Sequence, residues 1–316
     1  MADDVQEMSP EQANLLARYR GEKPEAPDWF TEAVNTPYNE HFIEAAGAKI
    51  RYQSWGDPAK PGLLLSHGNG AHAHWYDFIA PALTDKYYVV AMTFSGMGDS
   101  AWRDMYGFAS FAEEQLAVCE HAGLFEGGHK PIIVAHSFGG FITLHTAQKH
   151  SERFAGIVIV DSGLRPPEDQ WDGPPKRARG NRAYASLEAA LARFRLAPPQ
   201  PCENHYIADY IARHSLKQTE NEAGQTGWIW KFDPQIFINF EFSKMSTNML
   251  VDISCPVAMM RGRDSVLVSD RIWDYMRSLK DDMDMVSIPD AQHHVMLDQP
   301  LLFIEAVKDQ LNRWEY

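Results

Sequence analysis

Six short apolar runs constrain this chain more than any other feature. They are GLLLSHG (62–68), YYVVAMTF (87–94), PIIVAHS (131–137), GIVIVDSG (156–163), PVAMMRG (256–262) and MDMVSIP (283–289). Most are continuous rather than alternating, which marks strands buried on both faces. Helical spacing fills the gaps between them: about Trp75–Leu83, Phe108–Leu124, Phe141–His150, Asp270–Leu279 and Leu301–Trp314. A hairpin with its turn at Ala46-Gly47 precedes the first run. Strand and helix in alternation predict an α/β fold, a mostly parallel twisted sheet with helices on both faces.

The alternation lapses between Gly163 and Val251. That segment is rich in Pro, Arg and aromatics. Ser186–Leu196 reads as a helix, and GWIWKFDPQIFINFEF (227–242) concentrates Trp and Phe. The expected organisation is an N-terminal arm (1–38), a core domain (39–162 and 251–316), and a helical cap (163–250) inserted between two sheet strands. Two places are open to Trp29 and Phe30 of the arm: the cap, or a second copy of the chain in a homodimer. Ser9-Pro10-Glu11 reads as a helix start.

The formal charge of −14 opposes a phosphate backbone and argues against nucleic-acid partners. The basic run PPKRARGNR (174–182) reads as a solvated loop. Three cysteines, Cys119, Cys202 and Cys255, give no disulfide framework and suit a reducing, cytoplasmic setting. The opening MADDVQEMSPEQ lacks the basic and apolar regions of a signal peptide, and no 18-residue apolar stretch predicts a membrane span. No dinucleotide fingerprint or zinc spacing is present, so neither cofactor nor metal is expected.

In VAHSFGG (134–140) an apolar strand runs into Ser137 and then into a helix. Ala135 and Gly139, two positions either side, are small, as a tight strand-to-helix elbow around a nucleophile requires. A nucleophilic serine needs a base, an acid that orients the base, and donors for an oxyanion. HGNG (67–70) ends one strand and can aim a backbone N–H at a reacting carbonyl; the N–H of Phe138 is the second candidate donor. His293 and His294 follow the last strand, and only one of the two can face Ser137. The acid has two candidates at strand ends on the same sheet edge, Asp161 and Asp264.

In this order, HGNG, FSGMGDS (94–100), AHSFGG, Asp161 and HHVMLDQP (293–300) resemble the α/β-hydrolase superfamily, over nearly the whole chain from Asn39 to Trp314. Within it the likeness is to capped bacterial serine esterases and lactonases. The resemblance implies Ser137 as nucleophile and His293 as base, seven positions before Pro300. It also implies the N–H groups of Asn69 and Phe138 as oxyanion donors. Its usual acid pattern, G-x-x-D, is not met: Gly262-Arg263-Asp264-Ser265 puts Ser265 where Asp is expected. Some members instead carry the acid after the strand following the elbow, which favours Asp161, 24 residues past Ser137, with Asp264 the alternative. The expected substrate is a small or medium ester, or a lactone. Carbon–carbon bond hydrolysis, a non-hydrolytic lyase and a ligand-binding homologue are the other readings. A serine at the elbow excludes the aspartate-dependent epoxide hydrolases and haloalkane dehalogenases. Trp228, Trp230, Phe232 and Phe237 are candidates for an apolar substrate pocket, or for the cap's own packing.

Overall fold

The computed structural model describes residues 14–169, 182–220, 224, 226–241 and 248–314. The expected helix start at Ser9-Pro10 and the basic run up to residue 181 lie outside them. The strands are β1 (Asn39–Ala45), β2 (Ala48–Trp55), β3 (Gly62–Ser66), β4 (Tyr88–Thr93), β5 (Tyr106–Gly107), β6 (Ile132–His136), β7 (Gly156–Val160), β8 (Leu216–Glu220), β9 (Thr226–Trp230), β10 (Phe240–Glu241), β11 (Val257–Gly262) and β12 (Asp284–Ile288). The helices that matter below are α1 (Asp28–Val34), α2 (Phe108–His121), α3 (Phe138–His150), α4 (Leu187–Leu191), α5 (His205–His214), α6 (Asn248–Val251), α7 (Asp270–Leu279), α8 (Val295–Asp298) and α9 (Pro300–Arg313).

The chain divides into two compact units. The larger comprises residues 28–180 and 231–316. Its eight-stranded sheet has the order β1-β2-β4-β3-β6-β7-β11-β12. The two pairings at the β1 edge are antiparallel and the other five are parallel. Five of the six apolar runs read from the sequence are the fully buried central strands β3, β4, β6, β7 and β11, and the sixth is β12, a partly buried strand at the sheet edge. β1, at the edge, keeps mostly exposed positions over its first half. Strand order reverses around β3, where chain connections leave in opposite directions. In open α/β sheets ligands bind beyond the carboxyl ends of strands at such a point. The HGNG turn and Ser137 leave those ends of β3 and β6.

Helix boundaries differ from expectation, and the stretch Ser186–Leu196 is α-helical only over Leu187–Leu191. Trp75–Leu83 is two 3₁₀ turns, Ala73–Tyr76 and Ala80–Leu83, because Pro81 cannot donate the bond that would join them. The helix after the elbow begins at Phe138, directly behind Ser137.

The smaller unit comprises residues 1–27 and 181–230. Ser186 caps α4 by accepting the Ala189 N–H at 3.1 Å. One face of α5 buries Ile207, Ala208, Ile211 and Ala212. β8 and β9 form an antiparallel ribbon. Arg213 donates to the Gly21 carbonyl at 2.6 Å, tying the N-terminal segment into this unit.

These bounds differ from the arm and cap read from the sequence. Residues 231–241 fold with the larger unit for identifiable reasons. The Asp233 N–H donates to the Gly96 carbonyl, the Tyr106 hydroxyl donates to Asp233 Oδ2 at 2.6 Å, and β10 pairs with β5. α1 also belongs there. Phe30 is buried, with its ring 5.7 Å from that of Phe78.

Candidate active site

Ser137 occupies the junction of β6 and α3 with φ +52° and ψ −120°. Side chains rarely adopt this backbone, at a cost of about 1–3 kcal/mol, and it persists only where surroundings impose it. Here they do. The Ser137 N–H donates to the Val160 carbonyl at 2.8 Å, and the Ser162 hydroxyl donates to the Ser137 carbonyl at 2.6 Å. The two glycines that follow are required by space. A Cβ on Gly139 would sit 2.4 Å from the His67 carbonyl oxygen, and one on Gly140 2.2 Å from Ser162 Oγ.

His293 lies in the loop between β12 and α8. Its Nε2 is 2.9 Å from Ser137 Oγ and its Nδ1 is 2.8 Å from Asp161 Oδ1. An ionised carboxylate only accepts, so Nδ1 carries the hydrogen and Nε2 presents its lone pair to the serine. The His293 main chain is held as well, because His136 Nε2–H donates to the His293 carbonyl at 2.9 Å.

Asp161, at the end of β7, is buried. Its Oδ2 accepts the Gly262 N–H at 3.0 Å, and its Oδ1 also accepts the Ser265 hydroxyl at 2.7 Å. Three donors therefore offset the desolvation of one carboxylate. Asp264 is exposed and stands in the turn after β11, with its N–H on the Ala291 carbonyl. Of the two acid candidates, the structure brings Asp161 to His293. Ser265, the residue found where the resemblance leads one to expect the acid, hydrogen-bonds that acid instead. His294 is buried beside His293, its ring 5.5 Å from that of Trp75.

Asn69 is exposed in the turn after β3, and Phe138 opens α3. The Phe138 amide is one of the helix-start N–H groups with no partner inside the helix. His67 braces the turn: its Nδ1–H donates to the Gly68 carbonyl at 2.7 Å and its Nε2 accepts the Phe94 N–H at 3.0 Å. Burial lowers its pKa to about 4. His136 is likewise pushed well below the ordinary histidine range, by burial and by the neighbouring His293.

The neighbouring FSGMGDS loop is fixed by a buried acid. Glu114 accepts the Ser95 N–H at 2.9 Å and hydroxyl at 2.6 Å, and pairs with Arg103 at 2.8 Å. Burial raises the Glu114 pKa. Arg103 in turn donates to the carbonyls of Ala45 and Ala46 in the β1–β2 hairpin.

The four aromatic candidates separate. A Cβ on Gly70 would be 3.8 Å from Phe232, and the Phe237 ring lies 6.0 Å from that of Phe138. Both thus belong to the surroundings of the elbow and the HGNG turn. Trp228 and Trp230 lie on β9 in the smaller unit, where Trp230 packs edge-on to Tyr184 and beside Phe194.

Sequence reasoning gave no role to Ser162, His136, Glu114 or Arg103. Ser162 directly follows Asp161 and His136 directly precedes Ser137, so adjacency was the available signal. Nothing local pairs Glu114 with Ser95 or Arg103.

Comparison with known proteins agrees with this geometry. The model of the Alpha/beta hydrolase family matches residues 63–306. Esterase Rv0045c of Mycobacterium tuberculosis is 26% identical over 290 residues, covering 88% of this chain and 91% of the esterase. Its crystal structure superposes with a TM-score of 0.65 at 20% identity, covering 97% of this chain and 100% of that one. A 2-hydroxy-6-oxo-6-(2'-aminophenyl)hexa-2,4-dienoic acid hydrolase of Metapseudomonas resinovorans is 26% identical over 292 residues, 90% of this chain and 94% of that protein. A parallel sheet with its elbow serine at the topological switch, and a family match over most of the chain, lead to one conclusion: this protein belongs to the alpha/beta hydrolase family.

Proposed function

We propose that the chain hydrolyses carboxylic esters of small to medium molecules through an acyl-enzyme on Ser137. The observation that carries this reading is the hydrogen-bonded line Ser137 Oγ–His293–Asp161. His293 Nε2 takes the hydroxyl proton as Oγ bonds to the ester carbonyl carbon. Asp161 keeps the imidazole in the Nδ1–H tautomer and stabilises its cation. The N–H groups of Asn69 and Phe138 receive the negative charge on the carbonyl oxygen. A donor of this kind contributes about 2.7–4 kcal/mol in related chemistry. The tetrahedral intermediate expels the alcohol, which takes its proton from His293. Water, deprotonated by His293, then attacks the acyl carbon and frees the acid.

Phe232 and Phe237 supply apolar surface near the elbow, which suits an acyl chain. A second reading uses the same three residues on a lactone or on a carbon–carbon bond. The relative from Metapseudomonas favours keeping it, since the substrate in that protein's name carries no ester group.

The test is a ladder of p-nitrophenyl esters, acetate through decanoate, with wild type and Ser137→Ala, alongside labelling by a fluorophosphonate. Turnover that vanishes in Ser137→Ala, with label on Ser137, is the expected result. Equal turnover in that variant would remove Ser137 from the mechanism. A folded protein that labels but cleaves no ester would move lactones and carbon–carbon substrates forward.

A further inference from the structure

His136, His293 and His294 form a compact set of imidazoles that hydrolysis alone does not account for. One ring nitrogen from each lies within 4.8 Å of the others. All three residues are buried, at 2–4% exposure. Adjacent ring centroids are 4.8 Å apart for His136–His293 and 4.9 Å for His293–His294. The sequence shows no zinc spacing because two of the three follow the last strand and the other precedes Ser137.

The hydrogen bonds around this set have the pattern that surrounds metal-bound histidines, in which the far N–H is held by a carboxylate or a carbonyl. His293 Nδ1–H is held by Asp161, which leaves the Nε2 lone pair. His136 Nε2–H is held by the His293 carbonyl, which leaves the Nδ1 lone pair. Two of the three rings are therefore already in the tautomer a ligand requires. Tetrahedral Zn²⁺ sets two ligand nitrogens roughly 3.3 Å apart, so the rings would turn to close on the ion.

We propose that His136, His293 and His294 form a binding site for a divalent transition metal of the imidazole-preferring kind, Zn²⁺ above all. Such an ion takes the His293 lone pair that otherwise accepts the Ser137 proton. Its occupancy and hydrolysis are then mutually exclusive, and the metal acts as an inhibitor. The inhibitory part rests on the esterase reading; the binding part does not.

The experiment is calorimetric titration of the chelator-treated full chain with ZnCl₂ in a non-coordinating buffer. The proteins are wild type, His136→Gln, His294→Gln, Ser137→Ala and, as a control, exposed His129→Gln. The expected result is one Zn²⁺ per chain, bound at least tenfold more weakly by His136→Gln and His294→Gln. His129→Gln and Ser137→Ala should match wild type. Thermal melts identify any variant that fails to fold. Wild type alone gives a second reading: Co²⁺ in this site should show the intense visible bands of four-coordination. No binding, unchanged affinity in both folded histidine variants, or the weak bands of six-coordinate Co²⁺ overturns the site. Where wild type cleaves p-nitrophenyl esters, Zn²⁺ should inhibit at the concentration at which it binds, and binding without inhibition overturns the mutual exclusion. If no ester is cleaved, the esterase reading falls while the titration still decides the site.

Discussion

Ser265 and His293 share a single oxygen. Asp161 Oδ1 accepts the Ser265 hydroxyl at 2.7 Å and the His293 Nδ1–H at 2.8 Å. Removing the hydroxyl in Ser265→Ala leaves the carboxylate charge more concentrated on the bond to His293. The imidazolium is then better stabilised, so the acidic limb of the kcat/KM profile should move to higher pH. A hydrogen bond to a charged group contributes about 1.5–3 kcal/mol, which bounds the shift at about two pH units. A pH profile with an unmoved or lowered limb would contradict this role.

The two carboxylates should separate sharply under the same change. Asp161→Asn cannot hold the Nδ1–H tautomer, and kcat should fall about ten-thousand-fold, as for the equivalent change in serine proteases. Asp264 is exposed, so Asp264→Asn should alter kcat by no more than about twofold, the range of ordinary surface substitutions. Steady-state kinetics on one p-nitrophenyl ester compares both.

The two elbow glycines should respond differently to repair. Gly139→Ala meets backbone carbonyl oxygens of His67 and Ser66, whereas Gly140→Ala meets the side chain of Ser162. Each should destabilise by about 1–3 kcal/mol through overpacking. Ser162→Gly removes the Oγ and Cβ that crowd position 140, so it should recover part of the Gly140→Ala loss and none of the Gly139→Ala loss. Urea unfolding of the two double variants reads the difference.

Stability should fall in mild acid. His67 titrates near 4 when folded and near 6.5 when unfolded, so between those values the unfolded chain binds more protons. His136 shifts in the same direction. The stabilisation is fully present above about 6.5 and is lost as pH drops through about 4, at up to about 1.4 kcal/mol per pH unit for each histidine. Urea midpoints at pH 7.5, 6 and 5 should show this slope, and His67→Gln should flatten it.

The apolar runs made the sheet legible, because strands covered on both faces need no alternation and few other structures tolerate such sequences. Ser137 stood out because its neighbours are small where the turn is tight. The choice between Asp161 and Asp264 was not legible locally. Both end strands on the same sheet edge, and only the packing of β7 against β11 shows which carboxyl meets His293. The division at Lys231 was hidden for a related reason. Trp228 and Trp230 read like Phe232 and Phe237, and the Asp233 contacts that part them reach Gly96 and Tyr106, more than a hundred residues earlier.

The contact between Ser137 and His293 closes a loop of 156 residues. A ribosome delivers the strained serine, then its brace at Ser162, then the remaining strands, and only near the end the imidazole. Throughout most of synthesis the hydroxyl has no base within reach. On the proposed mechanism the nascent chain is thus inert, and reactivity arrives in a single late step when residues beyond β12 dock.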